Sequence, residues 1–355
     1  MLTDVFARRY EDRPIFPAVG PGELRLLVQA FRIINDQVFP YYGSDKKIDE
    51  QAKATWTSLH DRLSMEFGLK ELAQRYYSYQ ATGFNGATYT QSGWYDMNRV
   101  CEAFVTLPFS AQEPDTFMKE RLSFIELAFR ERENQIKLSN IQLPTTLRMA
   151  AYYDGLTPSG PRGRRVGENH ADKARKENDA INAAFKAHVL ELNTRFEQAR
   201  SPLNFHNGFI QITTDALTQQ QIDKPFWALV EGPKWVNVDT DMKEAIDRRD
   251  TAGRDPALYA AKALESTIKI ICSDKGWTTG SEKGASDFLN HLERKATGAY
   301  IDPWERELMQ RFFGGVRNEL GHGPGGEPMP TLTGPQTDQA IELCMSWIKS
   351  LICRL

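Results

Sequence analysis

Arg317 and His322 stand five positions apart in Val316-Arg317-Asn318-Glu319-Leu320-Gly321-His322-Gly323. A guanidinium grips phosphate through a planar fork of donors. An imidazole takes up or releases a proton near neutral pH. Together they suit the breaking of a phosphodiester bond without a metal. Five steps of about 100° set two side chains on different faces of a straight helix. Gly321 offers a way round this, because glycine accepts the left-handed conformation that stops a helix and lets the chain turn His322 back toward Arg317. A purely structural reading also stands: Arg near a helix C-terminus complements the dipole, and His after Gly can bond the last carbonyls.

The rest of the chain narrows the classes of function. At 355 residues it has room for two or three domains. Its 41% hydrophobic and 26% charged residues are ordinary for a soluble globular protein. A net charge of -3 argues against wholesale coating of nucleic acid and leaves room for a local basic groove. No apolar run approaches the roughly 20 residues of a membrane helix. Met1-Leu2-Thr3-Asp4 is no export signal, so a cytoplasmic protein without a membrane partner is expected. Cys101, Cys272 and Cys344 sit among apolar residues and Cys353 lies apart from them, the pattern of buried thiols in a reducing compartment. No histidine pair has metal-ligand spacing and no phosphate-binding glycine loop is present, so no metal or other cofactor is expected.

Helical periodicity dominates the elements that must position the pair. Leu24, Leu27, Val28, Phe31, Ile34 and Val38 form one apolar stripe, and Ala52, Thr55, Trp56, Leu59 and Leu63 another, closed by Gly68. Further stripes at Met97–Val105 and Met118–Phe129 complete an N-terminal helical domain over 1–150. Residues 76 to 95 read as an irregular aromatic excursion, whose tyrosines are expected to bury against these helices, with stacking on unpaired bases as the other option. A flexible basic loop or linker is expected at 151–170, with Arg162, Arg164 and Arg165. A connecting helix and a β-hairpin occupy 171–250. Its strands, Leu203–His206 and Phe209–Ile212, are joined by Asn207-Gly208, a two-residue turn signal. His188 and His206 read as structural.

The segment 251–355 reads as four helices with short connections, hence a bundle. Asp255-Pro256 signals the first start and Ser281 is the expected cap of the second. Asp302-Pro303-Trp304-Glu305 is a capping box opening a third helix that runs into Arg317, and Gly334-Pro335 starts the fourth. The fold class expected is therefore mainly α: a C-terminal four-helix bundle, an N-terminal helical domain, and one small β-hairpin in the middle region.

Ala260-Ala261-Lys262-Ala263-Leu264-Glu265-Ser266-Thr267-Ile268-Lys269, followed by Arg317-Asn318-Glu319-Leu320-Gly321-His322-Gly323, resembles the HEPN domains of abortive-infection proteins. Those are four-helix bundles with an Arg–polar–His signature. Phe6-Ala7-Arg8-Arg9-Tyr10 and Leu192–Phe196 with the hairpin look like the AbiJ-like family of phage-defence proteins. The resemblance implies a metal-independent endoribonuclease, working as a homodimer on RNA such as tRNA or mRNA, with an antitoxin or phage-derived trigger as further partner. In that scheme Arg317 holds the scissile phosphate and His322 is the general base or acid. Asn318 orients the phosphate or the loop, and Glu265 can reach the pair from the first helix, although Lys269 four residues on offers an ordinary surface ion pair instead. The same resemblance fits a module that binds RNA or dimerises without cleaving, or a toxin that needs a partner.

Overall fold

Two separately packed units, Met1–Ile210 and Gln211–Leu355, divide the chain. The computed structural model describes residues 5–43, 45–82, 88–110, 112–156, 169–206, 208–212, 218–251, 253–294, 298–318 and 331–355. The fold is mainly helical, with two small two-stranded sheets among the described residues.

The first unit is built on helices α1 (Phe6–Arg9), α2 (Pro21–Ile33) and α3 (Glu50–Glu66). They are followed by strands β1 (Tyr76–Thr82) and β2 (Thr88–Trp94), then α4 (Met97–Thr106), α5 (Pro114–Leu156) and α6 (His170–Gln198). Strands β3 (Leu203–His206) and β4 (Phe209–Ile212) carry the chain to the second unit. The Asp49 carboxylate starts α3 by accepting the Gln51 and Ala52 N–H groups, each at 2.9 Å. Gly68, at φ 67°, follows its end in the left-handed region. Trp56, in the middle of α3, is fully buried. Its ring centroid lies 5.7 Å from Phe31 and 6.0 Å from Phe124, and its Nε1 donates to the Phe39 carbonyl at 3.0 Å. The first half of α5 supplies Phe117, Leu122, Phe124 and Phe129 to this core. Its second half leaves the core and pairs with α6 through Asn140, Asn178 and Asn182.

Three expectations change here. The segment 76–95 is a regular ribbon rather than an irregular excursion, with seven pairs from Tyr76↔Trp94 to Thr82↔Thr88. Its rings are not buried against the helices either: Tyr79, Tyr89 and Trp94 are 51%, 53% and 68% exposed. β-Propensity of Tyr and Thr outweighs the scattered glycines. Residues 151–156 end α5 instead of opening the linker, and Asp154 accepts the His170 N–H at 3.0 Å, capping α6 across the connection. Residues 157–168, with Arg162, Arg164 and Arg165, lie outside the described residues.

The β3–β4 hairpin forms where Asn207-Gly208 predicts it; Gly208 has φ 88°, which its turn requires. A buried ionic knot holds it. Arg9 donates to both Glu126 oxygens at 3.0 and 2.6 Å and to the Ile210 carbonyl at 2.9 Å. Glu126 also accepts the Ile210 N–H at 2.7 Å, while Arg130 Nε donates to the Gly208 carbonyl at 2.7 Å.

The second unit holds α7 (Lys224–Val230), α8 (Val236–Asp250), α9 (Pro256–Asp274), α10 (Ala285–Glu293), α11 (Pro303–Phe312) and α12 (Gly334–Ile352). Leu264 and Ile268 of α9, Leu289 of α10, Met309 of α11 and Ile348 of α12 share one core. The same core takes in Trp227 of α7 and Met242 of α8, so it extends beyond the four expected helices. Pro256 and Pro303 open α9 and α11 where predicted, and Gly334 opens α12 behind a Thr333–Gln336 capping box. Two caps differ from expectation. Asp255 is left-handed at φ 56° and makes no cap bond; its carboxylate sits 3.1 Å from Arg254. α10 begins after Gly284, and Ser281 belongs to the preceding turn with Thr279 and Glu282.

Candidate functional site

The helix that leads into Arg317 is fixed at its start. The Asp302 N–H donates to Glu305 Oε2 at 2.9 Å, completing the capping box. Arg354 forks the same Glu305 carboxylate at 2.6 and 3.0 Å and holds it below the usual carboxylate range. At its far end α11 widens into a π turn, Phe313–Asn318. Such turns are often found at functional sites, although Ile34–Val38 and Gln219–Asp223 are wound the same way, so the winding alone does not mark a site. Gly314-Gly315 is the local reason. Two adjacent glycines weaken α-helical preference by about 1 kcal/mol each relative to Ala, so the ladder can slip there at low cost. That dipeptide is the signal in the sequence for a departure from α-helix here.

Phe313 is buried, and the Phe312 ring meets Trp347 of α12 edge-on at 5.3 Å. Val316 packs on a small cluster of Ala257 from α9 and Ala340 from α12, with Leu258 and Leu332. The residue before Arg317 is thus seated beside the start of α9, and the N-terminal end of a helix favours negative charge. Arg317 and Asn318 are the last two residues of the π turn. The side chains of Arg317 and Asn318, and Gly321 and His322 as a whole, lie outside the described residues.

Glu265 is buried on the next-but-one turn of α9, eight residues beyond Ala257, which is about 12 Å along a helix axis. The structure brings it to Lys269, 2.9 Å away. Lys262 lies over the Tyr259 ring, 4.3 Å from its centroid. In the first unit Lys173, Arg175 and Lys176 are exposed on α6.

Several other reactive side chains among the described residues are engaged structurally. His60 is buried between Asp61 and Glu71 at 2.8 and 3.0 Å, and His291 meets Glu282 at 2.9 Å. Burial pushes the half-buried His188 below the usual imidazole range. Cys101, Cys272 and Cys344 are buried as expected and Cys353 is exposed. Burial raises the first three thiols, Cys272 to about 12, so none of them is a thiolate at neutral pH. No described helix is long and apolar enough to cross a membrane.

Comparison with known families gives two matches. Residues 4–228 match the family model described as AbiJ N-terminal domain 4. Residues 237–353, from α8 to the end of α12, match that of the HEPN-like domain. No curated protein and no solved structure matches the chain.

Proposed function

The chain belongs to the AbiJ-like abortive-infection family and carries a C-terminal HEPN-like domain, and from that premise we propose that it is a metal-independent endoribonuclease effector of anti-phage defence. The observation that supports this reading is that Arg317 and Asn318 end a π turn anchored through Val316 beside the start of α9.

In the proposed reaction the ribose 2′-hydroxyl attacks the adjacent phosphorus. The new O2′–P bond forms as the bond from phosphorus to the 5′-oxygen of the next nucleotide breaks. His322 removes the hydroxyl proton, or protonates the leaving oxygen, and the products are a 2′,3′-cyclic phosphate and a 5′-hydroxyl. Arg317 neutralises the charge that builds on the phosphoryl oxygens in the transition state. Asn318 orients the phosphate. Two copies facing each other would supply two histidines, one for each proton transfer, which is why a homodimer is the form proposed to cleave. Glu265 is proposed as a positioning residue, in competition with its ion pair to Lys269. RNA is the substrate class, an antitoxin or phage-derived trigger the proposed regulator, and the cytoplasm the proposed compartment.

Purified protein incubated with a fluorescent RNA in the presence of EDTA tests this. Cleavage should be lost in Arg317→Ala and His322→Ala, and Glu265→Gln should lower the rate without abolishing it. RNA binding that survives His322→Ala, with cleavage in neither form, would mark the bundle as a binding or dimerising module instead. Toxicity on expression without cleavage by purified protein would point to a required partner.

A further inference from the structure

From Tyr76 to Tyr95 the chain has no Asp, Glu, Lys, Arg or His, although charged residues make up 26% of the whole. The β1–β2 ribbon in this stretch pairs without a bulge, and the residues on both its faces are exposed or half-buried. It stabilises itself with its own rings. Tyr76 meets Trp94 edge-on at 5.2 Å, and Tyr77 contacts Tyr95 at 4.7 Å. Tyr77 also lies across Gly93, where a Cβ would come within 2.7 Å of the Tyr77 hydroxyl. Gly93 therefore clears the ribbon's surface for an aromatic cover.

The direction of the backbone groups follows from one bond. The Tyr95 N–H donates to the Arg75 carbonyl at 2.8 Å, so these directly opposite residues form a hydrogen-bonded pair. Alternation along an antiparallel ladder then makes Tyr77↔Gly93, Tyr79↔Gln91 and Ala81↔Tyr89 bonded pairs. Ser78 and Gln80 of β1, and Thr88, Thr90 and Ser92 of β2, turn their N–H and C=O groups outward. On β1 the outward Tyr76 carbonyl is taken by Gln74 Nε2 at 2.7 Å. Exposed edges are normally blocked by Lys, Pro, a bulge or a covering element. The β2 edge, Thr88–Trp94, carries no Lys or Pro, pairs without a bulge and has no third strand among the described residues.

We propose that the β2 edge pairs antiparallel with the β2 edge of a second copy, joining two ribbons into a four-stranded sheet. Charge selects this occupant. The edge offers no cation to a phosphate, so it is ill suited to RNA, and a charged peptide would bury its charge unpaired. A two-fold pairing of identical edges sets Thr, Ser and Gln against their like at no Coulomb cost. This interface is separate from any pairing of the helical bundles and does not rest on the ribonuclease reading.

Light scattering of the full chain over a concentration series tests it. Wild type should reach twice the mass of Ser92→Pro, which removes an outward N–H and also restrains φ there and the residue before it, and of Ser92→Lys, which leaves the backbone intact. Ser78→Lys, on the other edge, should behave as wild type. The twofold step is monomer to dimer if the bundles stay single and dimer to tetramer if they pair, so failure of either idea is read separately. Equal masses for wild type and both Ser92 variants, with the Thr90 and Ser92 N–H groups of wild type exchanging as fast as unpaired strand, would overturn the proposal; slow exchange at equal mass would mean that bundles and ribbons join the same two copies. So would loss of single-stranded RNA binding in Tyr89→Ala at unchanged mass, since the ribbon would then be a base-stacking platform.

Discussion

Replacing Glu126 by Ala should destabilise the first unit by about 3–5 kcal/mol, the cost of breaking a buried ion pair on one side. The Glu126 side chain is 0% exposed and that of Arg9 4%. The carboxylate accepts from Arg9 at 3.0 and 2.6 Å, from Arg130 at 2.5 Å and from the Ile210 N–H at 2.7 Å. Its removal leaves the Arg9 guanidinium buried without that countercharge. Arg130, 14% exposed, can turn toward water and recover part of its solvation. A double variant, Arg9→Met with Glu126→Leu, removes the buried guanidinium together with its countercharge; the Ile210 N–H and C=O lose Glu126 and Arg9 as partners, but these are neutral groups that cost less than a stranded charge. The double variant should therefore be more stable than Glu126→Ala. Denaturant unfolding followed by circular dichroism measures the difference, and hydrogen exchange at Ile210 localises it to the β3–β4 hairpin. A loss below about 1 kcal/mol for Glu126→Ala, or a double variant weaker than the single one, would refute the reasoning.

Glu282 accepts the Thr279 and Gly280 N–H groups and contacts His291. These bonds, the Thr279 N–H first, hold its carboxyl at about 2 against an ordinary 4.5. A depressed folded value stabilises above the unfolded one, so this contribution should be whole above pH 4.5 and disappear as pH falls to about 2. The gap in melting temperature between wild type and Glu282→Gln should narrow across that window; a constant gap would show that the carboxylate contributes nothing. Gly315→Ala meets no atom within 4 Å of its new Cβ. It should raise stability by as much as about 1 kcal/mol while favouring an α turn over the π turn. RNA cleavage should fall several-fold as the motif is rotated, and unchanged cleavage at raised stability would separate the π turn from the activity.

Much of the architecture could be read from periodicity and punctuation. The stripes around Trp56 and Ile268 became core faces because apolar residues three and four apart had a partner to bury against. Asn207-Gly208 and the Asp302–Glu305 box are short-range signals whose geometry is local, and both held. The β1–β2 ribbon escaped because both its faces meet solvent, so no apolar alternation marks it. Asp255 and Ser281 misled because a capping residue type does not fix its own backbone angles: Asp255 is left-handed and Ser281 sits in a turn before α10. No spacing rule joins Arg9 to Glu126, 117 positions apart. At the candidate site the sequence placed Arg317 and Asn318 at a helix end, while the π turn that presents them follows from Gly314-Gly315 and the Val316 seat.

The most direct test is sequencing of RNA ends after brief expression of wild type, Arg317→Ala and His322→Ala, with adaptors selective for 2′,3′-cyclic phosphates. New cyclic ends should appear with wild type and be lost in both variants, each still melting as wild type does. The same ends in all three strains, or none with wild type, would contradict a site in which a guanidinium and an imidazole act on one phosphodiester.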